Sequence, residues 1–435
     1  MGSSAMAGRS AETPAPESTV RPMGWIAILL GFLTAVGPVS TDIYLPAFPE
    51  LETTLHGRAG SAQMTLAVWF VGLAIGQITM GPLSDRFGRR LPMLAGTIVY
   101  TLASVGCAMA RDIPTFSLFR LIASVGASAS LIIPSACVRD MSHGNESARL
   151  MSRLVLVMGV VPILAPTLGG MVLSIASWRS IFWASAVYGL ICIGLIWRVL
   201  PETLQPANRS EFSPVTLFSR YVMLARDRGF ITHAMIAGFS CFMSFTYLSA
   251  APSVFINQFG LSPAHFGMMF GVFAVCMIGA SQLNGVLVGR IDAARILGIS
   301  VGVAVLGTIA TTVVAIVIAF ATQHGGHPPL WMLGCLILAM MVSLGTTGII
   351  GPNATVGALA DHPRFAGSAS AFVGTLQYVL GAVAGAFVGM LPANSPIPMA
   401  GVMLMGAAIM MIMVLLRPAR PGLGAGVGAG VETQE

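Results

Sequence analysis

The chain has 435 residues, a mean hydropathy of +0.84, and 9% charged residues against 55% hydrophobic ones. That balance excludes an ordinary soluble enzyme, in which charged residues make up about a quarter of the chain. The net charge is +6 and all 22 basic residues are arginine, so their placement matters more than their number.

Residues 1–22, rich in Ser, Ala, Pro and Glu, are expected to form a disordered tail. Twelve apolar runs follow, at about 23–48, 61–82, 92–110, 114–138, 154–175, 180–197, 230–257, 266–289, 296–320, 329–356, 366–391 and 397–416. A helix needs roughly 20 apolar residues to cross the hydrocarbon layer, whereas barrel strands alternate over about 10. The expected fold class is therefore an all-α, multi-pass membrane protein with twelve transmembrane helices. The first run is too long for a signal-peptide core and has no obvious cleavage site, so it should stay as an anchor.

Arginine placement orients the chain. With a cytoplasmic N-terminus, Arg86, Arg89, Arg90, Arg139, Arg149, Arg153, Arg290, Arg295 and Arg417 fall inside. Only Arg58, Arg111 and Arg179 fall outside, while Arg120 lies within a run. The bias predicts that both termini are cytoplasmic, and it argues against a nucleic-acid footprint. The six cysteines show no CxxC or Cys/His clustering, and the seven histidines are scattered. Neither a metal site nor an intramembrane enzyme is expected.

The longest polar connection, residues 201–228, separates an N-terminal bundle (23–200) from a C-terminal one (229–417), and a Gly-rich tail (418–435) ends the chain. A shift of 203 residues lays Tyr44, Leu45, Ala47 and Pro49 on Tyr247, Leu248, Ala250 and Pro252. This favours two pseudo-symmetric six-helix bundles with a substrate site at their interface near the midplane.

Away from the run ends, Asp42 and Arg120 are the charges inside the membrane. Such residues are expensive there and mark function by default. Each lies about six residues from the outer end of its run, or ~9 Å deep at ~1.5 Å per residue, so they could meet across a cavity. The plainer reading is a cap for Asp42 after Gly37-Pro38 and a snorkelling Arg120. The sharper one makes Asp42 a proton carrier. The same shift places Phe245 at its position in the second half, which confines coupling to the first.

Three further features complete the expectation. Gly81 and Gly88 allow a very short turn bearing Asp85, Arg86, Arg89 and Arg90. Along run five, Gly159, Pro162, Pro166, Gly169 and Gly170 place bends and small surfaces together, with Pro162, Pro166 and Gly170 spaced by four on one face. Candidate cavity residues are Tyr44, Gln77, Phe239, Tyr247, Asn284, Asn353, Gln377 and Tyr378, together with Thr346. They suit a bulky, partly apolar guest better than a sugar.

The order GPLSDRFGRR (Gly81 to Arg90) resembles the signature loop of major facilitator transporters. With STDIYLPAFP (Ser40 to Pro49), APTLGG (Ala165 to Gly170) and GPNATVGALA (Gly351 to Ala360), the chain resembles the twelve-helix drug:proton antiporters of the Bcr/CflA group, exporters of bicyclomycin and chloramphenicol. That resemblance implies multidrug export from a bacterial inner membrane by alternating access, and hence a part in antibiotic resistance. A proton gradient would drive it, with no cofactor and no obligate protein partner. By this resemblance Asp42 is the coupling acid and Arg120 the arginine of the second family motif. Gly159, Pro166, Gly169 and Gly170 belong to the antiporter motif, and Asp85, Arg86, Gly88, Arg89 and Arg90 to a gating loop. Ala123 departs from the glutamine frequent three residues after that arginine. Export of an amino acid, peptide or sugar on the same fold is the alternative.

Overall fold

The computed structural model describes residues 23–142, 144–209, 214–322, 328–392 and 395–418. The N-terminal tail, residues 419–435 of the C-terminal tail and Glu211 of the central connection lie outside them.

Among the described residues, twelve helices are long and apolar enough to cross a membrane. They are α1 (Ile28–Thr54), α2 (Ser61–Phe87), α3 (Arg90–Met109), α4 (Ile113–Met141), α5 (Arg149–Ile175) and α6 (Arg179–Arg198), then α7 (Arg228–Gln258), α8 (Pro263–Val288), α9 (Ala293–Ala321), α10 (Leu330–Leu359), α11 (Ala366–Met390) and α12 (Ile397–Leu416). No strand occurs among the described residues. Helices satisfy every backbone group within the segment, which lipid demands. A further short helix, Pro214–Arg226, occupies part of the connection expected to be a loop. Its Tyr221 packs edge-on against Phe372 of α11.

Three of the long helices are interrupted, α10 by a single residue, Thr346, between Leu330–Gly345 and Thr347–Leu359. Helix α1 breaks after Thr34 and again between Asp42 and a 3-10 turn at Leu45–Ala47. Three prolines crowd this stretch (Pro38, Pro46, Pro49), and each removes a backbone donor. Helix α7 loosens into a π-type turn at Ser253–Gln258, directly after Pro252.

Small residues draw the helices together within each bundle. A Cβ at Gly72 of α2 would fall 1.8 Å from Ser124 Oγ of α4, and one at Gly96 of α3 would fall 2.8 Å from the Gly126 carbonyl of α4. Between bundles, α2 packs on α11 and α5 on α8. These seams are tightest at the end away from the arginine-rich turns. There, a Cβ at Gly60 would lie 2.1 Å from the Gly389 carbonyl, and one at Gly170 would lie 2.5 Å from the Pro263 carbonyl. The Gln63 amide also hydrogen-bonds the Ser253 hydroxyl at 2.8 Å. Toward the arginine-rich end, Gly81, Gly285 and Gly367 have nothing within 4 Å of a Cβ. The bundles are thus closed at one end and parted at the other.

A side chain at Gly170 must push Pro263 away. Gly170→Val is therefore expected to spread the closed end, seen as longer distances between spin labels on the adjoining ends of α5 and α8. Unchanged distances would contradict the seam's role.

At the parted end, Asp227 caps α7 through the Phe230 amide (3.0 Å) and bonds His362 Nε2 (3.1 Å). The Phe230 hydrogen bond, aided by the Gly229 amide and His362, holds this carboxyl below its usual range. A depressed value means that the cap stabilises above the unfolded pKa of about 3.9 and is lost as pH falls through the folded one. Asp227→Asn should lower the melting temperature at pH 7, and the difference should vanish near the acid end of a pH series.

Candidate functional site

Asp42 ends the helical segment Val36–Asp42 and is 6% exposed. The α1 break turns it toward a cavity of about 280 Å³ between the bundles. Thr41 and Pro38 of α1, Phe70 of α2, Pro162 of α5, Ser244, Phe245 and Tyr247 of α7, Phe270 and Phe273 of α8 and Tyr378 of α11 share its wall. None of the ion pairs among the described residues includes Asp42. Phe70 and Phe245 stack across the two bundles at 4.0 Å between centroids, and Tyr378 lies nearly parallel to Phe245 (12°) at 6.5 Å. An acid therefore faces a chamber walled by aromatic and aliphatic side chains, in which an unpaired ionised carboxylate is costly and a proton or a guest's donor group relieves it.

Arg120 of α4 does not reach that chamber. It is 1% exposed, and its guanidinium lies 4.0 Å from the Trp69 ring centroid, 4.3 Å from Tyr44 and 5.8 Å from Phe182. Ring faces attract cations, and more strongly where water is excluded. Nη1 donates to the Ser40 carbonyl at 3.2 Å, while Nε and Nη2 have no hydrogen-bond partner. Ser40 lies in the last turn of the segment that ends at Asp42, so the cation meets the negative end of a helix dipole. The expectation that Asp42 and Arg120 meet across a cavity is corrected here. Both act on the same break in α1, Arg120 from behind it and Asp42 at its front. Snorkelling is likewise excluded by the burial.

The Gly81 to Arg90 segment is mostly helix. Asp85 and Arg86 fall in the last turns of α2, and only Gly88 and Arg89 separate it from α3. Gly88 holds φ +89°, a left-handed conformation that favours glycine. Arg89 is buried, and its Nη1 donates to Asp85 Oδ1 (2.5 Å) and Ser84 Oγ (2.8 Å), its Nε to Asp140 Oδ2 of α4 (2.8 Å). Burial pulls the Arg89 pKa down, but the hydrogen bonds and charges of Asp140 and Asp85 outweigh it and hold it above the ordinary value. The Glu202 carboxylate, just past α6, accepts from the backbone amides of Arg89 (2.8 Å) and Arg90 (3.3 Å). Gly88→Ala would force φ strain and set a Cβ 2.3 Å from Glu202 Oε2. A loss of roughly 1–3 kcal/mol is expected, read as a lower unfolding midpoint in detergent; an unchanged midpoint would contradict this geometry.

Helix α5 presents its small face to both neighbours at the closed end. A Cβ at Gly169 would lie 1.9 Å from the Ile43 carbonyl at the α1 break, and one at Gly267 of α8 would lie 2.7 Å from the Pro166 carbonyl. Gly159, nearer the parted end, leaves 3.4 Å to Ile278 of α8.

This geometry can be set beside known proteins. The family model of the Major Facilitator Superfamily matches residues 30–386. The chain belongs to the Major Facilitator Superfamily. An uncharacterised MFS-type transporter of Bacillus subtilis, YdgK, is 33% identical over 386 residues, covering 88% of this chain and 93% of the relative. A bicyclomycin resistance protein homolog of Haemophilus influenzae is 27% identical, covering 88% and 92%. A chloramphenicol resistance protein of Pseudomonas aeruginosa is 28% identical, covering 85% of each.

In this major facilitator chain, Asp42, Pro162, Tyr247 and Tyr378 are on the cavity wall, and the remaining residues expected to line it are not. Tyr44 belongs to the Arg120 cage, with its hydroxyl 3.4 Å from Thr65 Oγ1. Asn353 donates to Asn284 at 2.6 Å, so the two amides serve each other. Phe239 packs on Phe242, and Gln77 lies against Gly374 at the α2–α11 seam. Thr346 donates to the Ser343 carbonyl of its own helix, and Gln377, half-buried, is off the wall. Polar groups in lipid-embedded helices pair with each other or with backbone, which removes them from the wall. The ring-bearing wall residues Phe70, Phe245, Phe270 and Phe273 look like ordinary core in sequence. The internal repeat held the one usable signal, since it aligns Phe245 with Asp42.

Proposed function

We propose that this chain is a proton-coupled exporter that expels small, partly hydrophobic compounds, drugs among them, from a bacterial cytoplasm across the inner membrane. The observation that carries the reading is Asp42 on the wall of an apolar, aromatic cavity between two bundles parted at one end. The names of the bicyclomycin and chloramphenicol relatives support the substrate class. The arginine bias supports cytoplasmic termini, which makes the parted end the cytoplasmic one and this conformation inward-facing.

A guest enters from the cytoplasm and occupies the chamber beside Asp42. A proton from outside and a guest from inside favour different states, so each changes the other's affinity by the same factor. The membrane potential adds about 2.3 kcal/mol per charge moved per 100 mV. The test is a drug-panel growth screen in a strain stripped of efflux pumps, followed by transport in proteoliposomes with an imposed pH gradient. Resistance to apolar drugs with gradient-dependent transport is expected. Gradient-independent transport, or transport of amino acids or sugars alone, overturns the reading.

A further inference from the structure

We propose that the cavity selects its guest by the hydrogen-bond donors the guest carries, an inference that rests on the cavity being the substrate site. The wall offers acceptors and almost no donors. Thr41 Oγ1 donates to the Gly37 carbonyl (2.9 Å) and Ser244 Oγ to the Ser240 carbonyl (3.2 Å). Both hydroxyl protons are thus committed to their own helices, and only oxygen lone pairs remain for a guest. Thr41 and Ser244 stand on opposite bundles, so acceptors face the chamber from both sides. Asp42 adds a carboxylate that no ion pair among the described residues satisfies.

Donors are scarce by the same inspection. Among the described residues, the wall includes no Arg, His, Asn, Gln or Trp, and Pro38 and Pro162 carry no backbone N–H. The Tyr247 hydroxyl is buried without a hydrogen-bond partner, so Tyr247 and Tyr378 are the wall side chains able to donate besides a protonated Asp42. A carboxylate or phosphate guest would meet an acid and no cation. An ether or a fully alkylated amine would leave the wall oxygens without partners. A flat apolar body bearing an ammonium, an amide N–H or a hydroxyl satisfies them.

One scaffold separates donor from charge. Five naphthalenes differing at position 1 would be titrated calorimetrically into the full-length detergent-purified protein: hydroxymethyl, aminomethyl, methoxymethyl, trimethylammoniomethyl and carboxymethyl. The alcohol and the primary ammonium are expected to bind at least about tenfold more tightly than the methyl ether and the trimethylammonium, and the carboxylate not measurably. Thr41→Val should narrow the alcohol-to-ether ratio, as should Ser244→Ala. An ether that matches its alcohol and a trimethylammonium that matches its ammonium overturn the donor rule while leaving the cavity as a binding site. An unchanged ratio in both variants overturns it as well. If none of the five binds, the substrate-site reading itself falls.

Discussion

Asp42→Asn is expected to reduce export driven by a pH gradient to the level of empty vesicles while the protein still binds its guest. Asparagine keeps the shape and the polarity of the side chain, so the cavity beside Thr41 and Phe70 is preserved. What it loses is the ability to take up and release a proton at that position. A hydrogen bond to a charged group contributes about 1.5–3 kcal/mol, so guest affinity should weaken by no more than roughly a hundredfold. Binding measured by calorimetry and transport measured in proteoliposomes therefore separate in this variant. Export at the wild-type rate would refute the role of the acid.

Arg120 carries the second large effect. A direct ion pair would survive Arg120→Lys, because the charge is kept. The cage makes a different demand: a planar cation that lies over Trp69 and Tyr44 while reaching the Ser40 carbonyl. A lysine ammonium is a compact, strongly hydrated point charge and does not stack in this way. Arg120→Lys and Arg120→Ala should both lower the transport rate by at least about tenfold, since a positioned proton-transfer group contributes about 10²–10⁴-fold and these variants misplace it without removing it. Both should also shift the pH profile of export, because the break that presents Asp42 is no longer fixed from behind. A structural role alone would lower the amount of folded protein without moving the profile. Wild-type transport in the lysine variant would show that charge, not the cage, is what matters.

These two residues illustrate what the sequence could and could not disclose. Isolated charges in long apolar runs are conspicuous because lipid tolerates so few, and the twelve runs agree with the twelve helices for the same reason. The α1 break considered after Gly37-Pro38 lies elsewhere, because the helical segment continues through Pro38 to Asp42 and the interruptions fall after Thr34 and before Leu45. Counting residues from a run's end gives depth, however, and says nothing about the direction in which a side chain points around the helix. Asp42 and Arg120 share a depth in that arithmetic, yet Arg120 approaches the α1 backbone at Ser40 and not the carboxylate. The same blindness placed Asn284 and Asn353 in the chamber, although they face each other. Asp85 and Arg86 were read as loop because they are charged, but the last turn of a helix at the membrane surface accommodates both. Asp140 and Glu202 went unnoticed because their partner Arg89 lies 51 and 113 residues away in sequence.

The most direct measurement is proton release on binding. Adding a transported drug to weakly buffered, detergent-solubilised wild-type protein should acidify the solution, and the same addition to Asp42→Asn protein should not. A pH trace that stays flat for the wild type, or falls equally for both proteins, would contradict exchange at this carboxylate.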